Sequence, residues 1–252
     1  MTDKSNLSTQ GHGPRKVIIM NGWLGLSRHW QAMLAAMAHE TFEFAVFEYR
    51  GYGSRRSQSG AYQFEEAASD VIALADMLGW QKFSIIGHSM GGMAMQRVAL
   101  RVPDRVQSML GIAPVSAAGS NMDAARLAFF ESAVNDIAIR QKIFDVSTGQ
   151  RLPRAWTHKM AVDSQQNDPA AMQAYLNEWA AQGFANQVAA LNTPVKVLVG
   201  EFDPGINALQ AQNTWQKHYP HAEIEVIAQT GHYPMQELPV FVAARAEAWL
   251  CQ

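Results

Sequence analysis

The segment that most constrains the fold is a short apolar run that leads directly into a turn with two glycines. Residues 83–86 (Phe-Ser-Ile-Ile) precede Gly87-His88-Ser89-Met90-Gly91, which matches the pattern G-x-S-x-G between a buried strand and a helix. Such a turn strains the serine backbone, and its glycines let the helix pass close to the strand. The segment therefore predicts a strand, a turn that exposes Ser89, and a helix over residues 90–102.

Five other strand-like runs, with helical patterns between them, extend this unit into a sheet. They lie at residues 16–21, 44–48, 107–113, 195–200 and 223–227. Several are continuously apolar, as is typical of strands with helices on both faces. Helical patterns at 27–40 and 64–78 separate the first three strands. The predicted fold class is α/β, with a mostly parallel sheet of about six strands flanked by helices.

The alternation of strands and helices stops between residues 114 and 191, where the apolar periodicity is helical. One of these helices has Asp168 as its cap and Pro169 at its first position, a usual way for a helix to begin. We interpret this stretch as a cap over the carboxyl ends of the strands. The predicted organisation is a polar amino-terminal leader at 1–15, a core at 16–114 and 191–252, and a helical cap at 115–190.

Composition argues against several classes of function. The net charge is −2 and only 17% of the residues are charged, so neither a nucleic acid nor an anionic membrane is expected as a partner. Cys251 is the one cysteine, which leaves no disulfide and no thiolate metal site. The eight histidines show no metal-ligand spacing, so no metal is predicted. The first residues lack a signal-like apolar segment, and we expect a soluble cytoplasmic protein with a small-molecule substrate.

A serine hydroxyl becomes a useful nucleophile only beside a base that is held by a third group. His232 lies in a loop shortly after the strand-like run that ends at residue 227, and Asp203 follows the run that ends at residue 200. Since the carboxyl ends of parallel strands meet at one sheet edge, both should lie near Ser89. The order Ser89, Asp203, His232 is also the one used by this architecture. We predict these three as catalytic residues.

Each assignment has a simpler alternative. Asp203 precedes a proline, so its role could be simply to start a turn. Glu201 is the nearest competing acid. His232 could be an ordinary surface histidine. His88, beside the nucleophile, is expected to brace the turn rather than to act as the base.

Acyl transfer also needs hydrogen-bond donors for the oxyanion that forms. One predicted donor is the backbone N–H of Met90, directly after Ser89. The other is the backbone N–H of Trp23, in the turn that follows the first strand and in which Gly22 allows a close approach. The simpler alternative is a plain glycine turn between a strand and a helix.

From residue 16 onward, the chain resembles the α/β-hydrolase fold superfamily, in its group of small capped serine esterases, lactonases and perhydrolase-like proteins. Three departures stand out: Asn21 replaces a histidine common in relatives, one loop is a residue shorter, and the leader is too short for the usual first two strands. The matching segments are Gly22-Trp23, Arg50-Gly51-Tyr52-Gly53-Ser54, 87–92, 200–203, and Gly231-His232 followed by Glu237 and Pro239.

The resemblance implies a serine hydrolase without a cofactor, in which Ser89 forms an acyl-enzyme and His232, held by Asp203, transfers the protons. Aromatic residues in the predicted cap favour a small hydrophobic or aromatic carboxylic ester or lactone as the substrate. The predicted pocket residues are Phe129, Phe130, Trp156, Tyr175 and Trp179.

Other functions remain open on the same fold. Serine hydrolases of C–C bonds use the same triad, cofactor-free dioxygenases have a similar turn, and a thioesterase is a variant of the first interpretation. From another class, the chain could be a non-catalytic receptor for a small ligand. Turnover distinguishes a receptor from an enzyme.

Overall fold

The computed structural model describes residues 9–181 and 183–252, in which a seven-stranded sheet forms the centre. The strand order is β1-β3-β2-β4-β5-β6-β7. Strands β2 to β7 run parallel to one another, and β1 pairs antiparallel with β3. The strands are β1 (Thr9–Gly11), β2 (Arg15–Met20), β3 (Phe42–Phe47), β4 (Phe83–His88), β5 (Val106–Ile112), β6 (Val195–Gly200) and β7 (Glu223–Ile227).

Helices and short helical turns connect the strands. Short 3-10 helices span Ser27–Trp30, Gly53–Arg55 and Ser164–Gln166, and a π-helical turn spans Gln212–Gln216. The α-helices are α1 (Gln31–Leu34), α2 (Phe64–Met77), α3 (Met90–Arg101), α4 (Ala124–Ala133), α5 (Ile137–Ser147), α6 (Arg154–Asp163), α7 (Pro169–Ala180), α8 (Ala185–Val188), α9 (Ala208–Ala211), α10 (Pro234–Glu237) and α11 (Pro239–Leu250). In the described ranges, no helix has the length and apolar character that a membrane crossing requires.

The predicted α/β class with a mostly parallel sheet is confirmed, and each of the six predicted runs overlaps a strand. The inner strands β4 and β6 are buried along their whole length, as their apolar runs indicated. The sheet has one strand more than predicted, because Thr9–Gly11 of the polar leader pairs with β3. Backbone pairing to an open sheet edge holds this short strand, so no apolar run marks it. Residues 1–8 of the leader lie outside the described residues.

The helix predicted over residues 27–40 is wrong in its extent. The chain forms the 3-10 helix Ser27–Trp30 and then only the short α1. Beyond α1, the N–H of Ala38 donates to the Glu247 carboxylate at 2.6 Å. The Ala38 N–H, which a longer α1 would use for a hydrogen bond within the helix, thus donates to a carboxylate of α11 instead.

Between β5 and β6, the described residues form helices α4 to α8 and no strand. The predicted start of α7 is present, since the Asp168 carboxylate accepts the N–H groups of Ala170 and Ala171 at 2.9 and 3.1 Å. Residues 172, 175, 176 and 179 of α7 are buried on one face. The Trp23 indole Nε1–H donates to the carbonyl of Met172 at 2.8 Å, which ties this helix to the turn after β2. The division into a core and a cap stays a prediction.

The turn between β4 and α3 packs too tightly for side chains at its glycines. A Cβ atom at Gly87 would lie 2.5 Å from the carbonyl oxygen of Gly91, and one at Gly91 would lie 2.4 Å from that of Met20. Contacts this short with backbone atoms force the chain to move. The glycines therefore let α3 start directly against the end of β2.

We expect Gly91→Ala to lower the free energy of unfolding by about 3 kcal/mol, because the added methyl group overpacks backbone that cannot rotate away. A matched control is Gly79→Ala, where φ is 72° but no atom lies within 4 Å of the added group. In that control the free energy of unfolding should fall only by the cost of placing an alanine in the left-handed region, about 1 kcal/mol. Urea unfolding of both variants compares the two losses. An equal or smaller loss for Gly91→Ala would contradict the packing argument.

Candidate active site

Ser89 stands at the junction of β4 and α3 in a strained conformation, with φ 51° and ψ −118°. Its N–H donates to the carbonyl of Ile112 at 3.1 Å, and its carbonyl accepts the N–H groups of Gly92 at 2.8 Å and Val115 at 2.9 Å. These hydrogen bonds hold the residue in a region that non-glycine residues rarely adopt. The side chain is half-buried at the carboxyl edge of the sheet.

Asp203 and His232 meet at the same edge. The His232 Nδ1 atom lies 2.6 Å from the Asp203 Oδ2 atom. The side chains are 2% exposed for Asp203 and 14% for His232. The other carboxylate oxygen, Oδ1, accepts the N–H groups of Gly205 at 2.8 Å and Ile206 at 3.0 Å. Because a carboxylate only accepts, the proton of a neutral His232 lies on Nδ1 and its Nε2 is free to accept another.

His88 connects Ser89 to His232. Its Nε2–H donates to the carbonyl of His232 at 2.9 Å, and the two rings lie 5.0 Å apart. Burial, and then the neighbouring His232, holds the pKa of His88 well below its usual value, so the ring is neutral at physiological pH. A Cβ atom at Gly22 would lie 2.7 Å from His88 Nδ1 and 3.1 Å from Ser89 Cβ. The turn after β2 therefore lies directly against the nucleophile turn.

The two predicted oxyanion donors are both free. Across residues 9–181 and 183–252, neither the N–H of Trp23 nor that of Met90 donates a hydrogen bond. Met90 is the first residue of α3, whose amino terminus carries partial positive charge. The carbonyl of Trp23 accepts the Tyr52 hydroxyl at 2.9 Å. This turn is thus fixed through its other groups while its amide stays available.

Asn21, which directly precedes the Gly22-Trp23 turn, is buried, and both ends of its side-chain amide form hydrogen bonds. Its Nδ2 donates to the carbonyl of Phe47 at 3.1 Å, and its Oδ1 accepts the Trp30 indole N–H at 2.7 Å. The side chain therefore braces the turn without reaching into the site.

Glu48 is a supporting residue that the sequence analysis missed. One carboxylate oxygen accepts the Ser27 hydroxyl at 2.8 Å, and the other accepts the Ser54 hydroxyl at 2.7 Å. It thereby joins the segment after the Trp23 turn to the loop at residues 50–54. Its place directly after β3 is the signal that could have indicated a loop-bracing role.

The predicted pocket aromatics fall into two groups. Phe130 and Trp179 lie beside Trp23, with ring centroids 5.7 and 6.0 Å from its ring, and Phe129 packs on Phe130 at 5.9 Å. Trp156 lies 5.7 Å from Tyr233, next to His232. Tyr175 is completely buried, and its nearest aromatic neighbours are Tyr49, Tyr52, Tyr62 and Phe64. Which of these side chains touch a substrate stays a prediction.

No group of three or more His, Cys, Asp or Glu side chains comes together as potential metal ligands in the described part of the chain.

His29 is a second buried histidine close to the site, within the 3-10 helix after the Trp23 turn. Its Nδ1 accepts the N–H of Leu26 at 3.2 Å, and its Nε2 lies 3.3 Å from the Asp163 carboxylate of α6. Burial outweighs the neighbouring carboxylate and lowers the pKa of His29 from 6.5 to about 4. The ring is therefore neutral at physiological pH.

This depressed pKa predicts a loss of stability in acid. Between pH 6.5 and 4 the unfolded chain takes a proton at His29 that the folded chain refuses, so the free energy of unfolding falls as the pH falls. A shift of this size corresponds to about 3 kcal/mol over that interval. Urea unfolding of the wild type and of His29→Gln from pH 7.5 to pH 4 measures it. The wild type should lose more stability than the variant, and parallel curves would refute the prediction.

Comparisons with known proteins agree with this architecture. A pimeloyl-(acyl-carrier protein) methyl ester esterase from Nitrosomonas europaea is 25% identical over 246 residues, which cover 93% of this chain and 94% of that protein. A 3-oxoadipate enol-lactonase 2 from Acinetobacter baylyi is 30% identical over 106 residues, or 42% of this chain and 39% of that protein. A solved bromoperoxidase structure from Bacillus anthracis has a TM-score of 0.89 at 17% identity, covering 98% of this chain and 95% of that one.

The family model described as the alpha/beta hydrolase fold matches residues 16–237. That match begins within β2 and runs through α10, so it includes the turns that carry Ser89, Asp203 and His232. On the sequence match and on the sheet that carries it, this chain belongs to the alpha/beta hydrolase fold family.

Proposed function

We propose that the chain is a serine hydrolase that cleaves a small hydrophobic or aromatic carboxylic ester or lactone through an acyl-enzyme. The observation that carries this proposal is the 2.6 Å contact between His232 Nδ1 and Asp203 Oδ2. It gives a base with a free Nε2 at the sheet edge where Ser89 stands on its strained turn. His88, one residue before Ser89, donates to the His232 carbonyl and so links the nucleophile to the base.

In the first half of the proposed reaction, the Ser89 Oγ atom adds to the carbonyl carbon of the ester and its proton passes to His232 Nε2. The carbonyl π electrons move onto oxygen, and this oxyanion accepts hydrogen bonds from the N–H groups of Trp23 and Met90. Loss of one such donor typically costs about 10²- to 10³-fold in kcat. The tetrahedral intermediate then expels the alcohol, which leaves with the proton held by His232.

In the second half, water gives a proton to His232 as its oxygen adds to the acyl carbon. Collapse of the second tetrahedral intermediate returns the proton to Ser89 and releases the carboxylic acid. Asp203 holds the imidazole in the required tautomer and stabilises its charged form, since its second oxygen is fixed by two backbone N–H groups. The cycle needs no cofactor.

The choice of substrate class has two supports. Phe130 and Trp179 lie beside Trp23, so apolar and aromatic surface adjoins the proposed oxyanion donors. Two relatives carry names of enzymes that act on a methyl ester and an enol-lactone. In the proposed cap, α4 and α7 supply these aromatic side chains.

The test is hydrolysis of p-nitrophenyl esters from acetyl to decanoyl and of simple lactones, with Ser89→Ala as a matched blank. Turnover that disappears in the blank supports the proposal, and the preferred chain length reports the depth of the acyl pocket. Turnover no faster than the blank on all of these substrates would count against an esterase or lactonase. C–C bond substrates, oxygen-dependent ring cleavage and ligand binding would then be measured in turn.

A further inference from the structure

We propose that the segment at residues 147–151, which starts with the last residue of α5 and leads towards α6, positions the base His232, and that Arg151 is its positioning residue. This inference rests on the proposed function for its consequence in catalysis. The contacts that carry it join a helical region outside the sheet to the loop of the base and to the turn of the acid.

The first contact is between main chains. The N–H of His232 donates to the carbonyl of Ser147, the last residue of α5, at 3.0 Å. The neighbouring Gly231 lies so close to this segment that a Cβ atom there would stand 2.5 Å from the Cα atom of Thr148. The base is therefore hydrogen-bonded through its own backbone to the end of α5.

The second contact is made by the side chain of Arg151. Its Nη1 lies 3.1 Å from the Glu237 carboxylate, and its Nη2 donates to the carbonyl of Gln229 at 2.7 Å. The guanidinium also lies over the ring of Phe202, 4.4 Å from its centroid. Phe202 directly precedes Asp203, and Gln229 lies three residues before His232. One arginine thus contacts both segments that carry the acid and the base.

Glu237 connects Arg151 to the backbone on both sides of His232. Its carboxylate accepts the N–H of Gly231 at 2.9 Å and that of Tyr233 at 3.1 Å, the residues on either side of His232. The Glu237 side chain is only 2% exposed. Within the described residues, Arg151 is the one cation that forms an ion pair with it. The position of a buried charge that holds two backbone groups of the base loop is therefore set in part by Arg151.

The backbone between α5 and Arg151 bends sharply. Gly149 and Gln150 both have positive φ, at 68° and 56°. A Cβ atom at Gly149 would lie 3.0 Å from the Cβ atom of Phe202, so the bend also rests on the acid turn. Two successive left-handed residues return the chain towards the sheet edge, which places Arg151 over that edge.

A purely structural role for this ion pair makes a different prediction. Loss of Arg151 leaves the buried Glu237 carboxylate without its ion pair, so a purely structural role predicts a lower unfolding temperature and an unchanged kcat of the folded protein. A positioning role predicts a loss in kcat, because small displacements of a catalytic group are costly to the rate.

The experiment compares Arg151→Ala with Arg154→Ala. Arg154 is the exposed first residue of α6, so its loss removes the same charge from the same region. We expect Arg151→Ala to lower kcat for the preferred ester about tenfold with KM changed less than about threefold. Arg151→Lys should fall between, since an ammonium can pair with Glu237 but lacks the planar fork. Arg154→Ala should keep kcat within about twofold.

A second readout does not depend on turnover. The Nδ1 proton of His232 donates to Asp203 and should give a downfield NMR resonance that is absent in Asp203→Asn. Arg151→Ala should shift or broaden that resonance, and Arg154→Ala should not. If the wild type hydrolyses no ester but the resonance responds in this way, the proposed function fails and the positioning role stands.

Two results would overturn the positioning role. One is a His232 Nδ1 proton resonance with the same position and width in Arg151→Ala as in Arg154→Ala, whatever the change in kcat. The other is a kcat of Arg151→Ala equal to that of the wild type, when the wild-type turnover is shown to depend on Ser89.

Discussion

Ser89→Ala is expected to lower kcat for ester hydrolysis by about 10⁴- to 10⁶-fold, since loss of a triad nucleophile leaves only the oxyanion donors and binding to accelerate the reaction. The fold should persist, because alanine keeps the Cβ atom and the strained φ of 51° is no worse for alanine than for serine. Active-site titration with an acylating ester, followed by steady-state rates, measures the loss. Thermal unfolding checks that the variant is folded.

A suitable control is Ser132→Ala, an exposed serine of α4 whose hydroxyl donates to the carbonyl of Phe129 within its own helix. This control should keep its activity. Residual turnover in Ser89→Ala above about a hundredth of the wild type would remove Ser89 from the role of nucleophile.

Asp203→Asn is expected to lower kcat by about 10³- to 10⁴-fold, by analogy with triads elsewhere. The geometry gives the reason. The Oδ1 position accepts two backbone N–H groups, from Gly205 and Ile206. The carbonyl oxygen of an asparagine will take that position, which leaves its NH₂ group towards His232 Nδ1. The imidazole must then accept at Nδ1 and carry its proton on Nε2, so it cannot take the proton of Ser89.

The measurement is kcat and kcat/KM across pH for the wild type, Asp203→Asn and Glu201→Gln. Glu201 is the nearest competing acid, and its carboxylate accepts the N–H of Gln229 at 2.9 Å. We expect Glu201→Gln to lose far less activity than Asp203→Asn. If Asp203→Asn keeps more than about a tenth of the wild-type rate, the acid has been misassigned.

The most predictable part of the site was the set of residues that directly follow the carboxyl ends of strands. Ser89, Asp203 and His232 each follow an apolar run by a few residues, and parallel strands bring such positions to one edge. A local pattern therefore sufficed to predict that His232 and Asp203 lie at one sheet edge with Ser89. The Trp23 and Met90 amides were selected on the same pattern, since each follows a strand in a glycine-containing turn, and their role as oxyanion donors stays a prediction.

The supporting contacts were not predictable in this way. Arg151 and Glu237 lie 86 residues apart. The resemblance singled out Glu237 but not its partner, and nothing local distinguishes Arg151 from the other arginines. Glu48 acts through two serines on separate loops, which only the folded sheet brings together. Similarly, the strand at Thr9–Gly11 and the early end of α1 depend on partners from distant segments, which no pattern in their own sequence indicates.

The hydrogen bond from the Trp23 indole to the carbonyl of Met172 bears on how such a protein can diversify. Because the acceptor belongs to the main chain, the hydrogen bond itself makes no demand on the chemistry of the side chain at position 172, which answers only to the buried packing of α7. Substitutions along α7 that preserve the helix and its buried face therefore leave the backbone of the Trp23 turn anchored. What the anchor restricts in directed evolution of this helix is its register, since a one-residue insertion would carry the carbonyl out of reach of the indole.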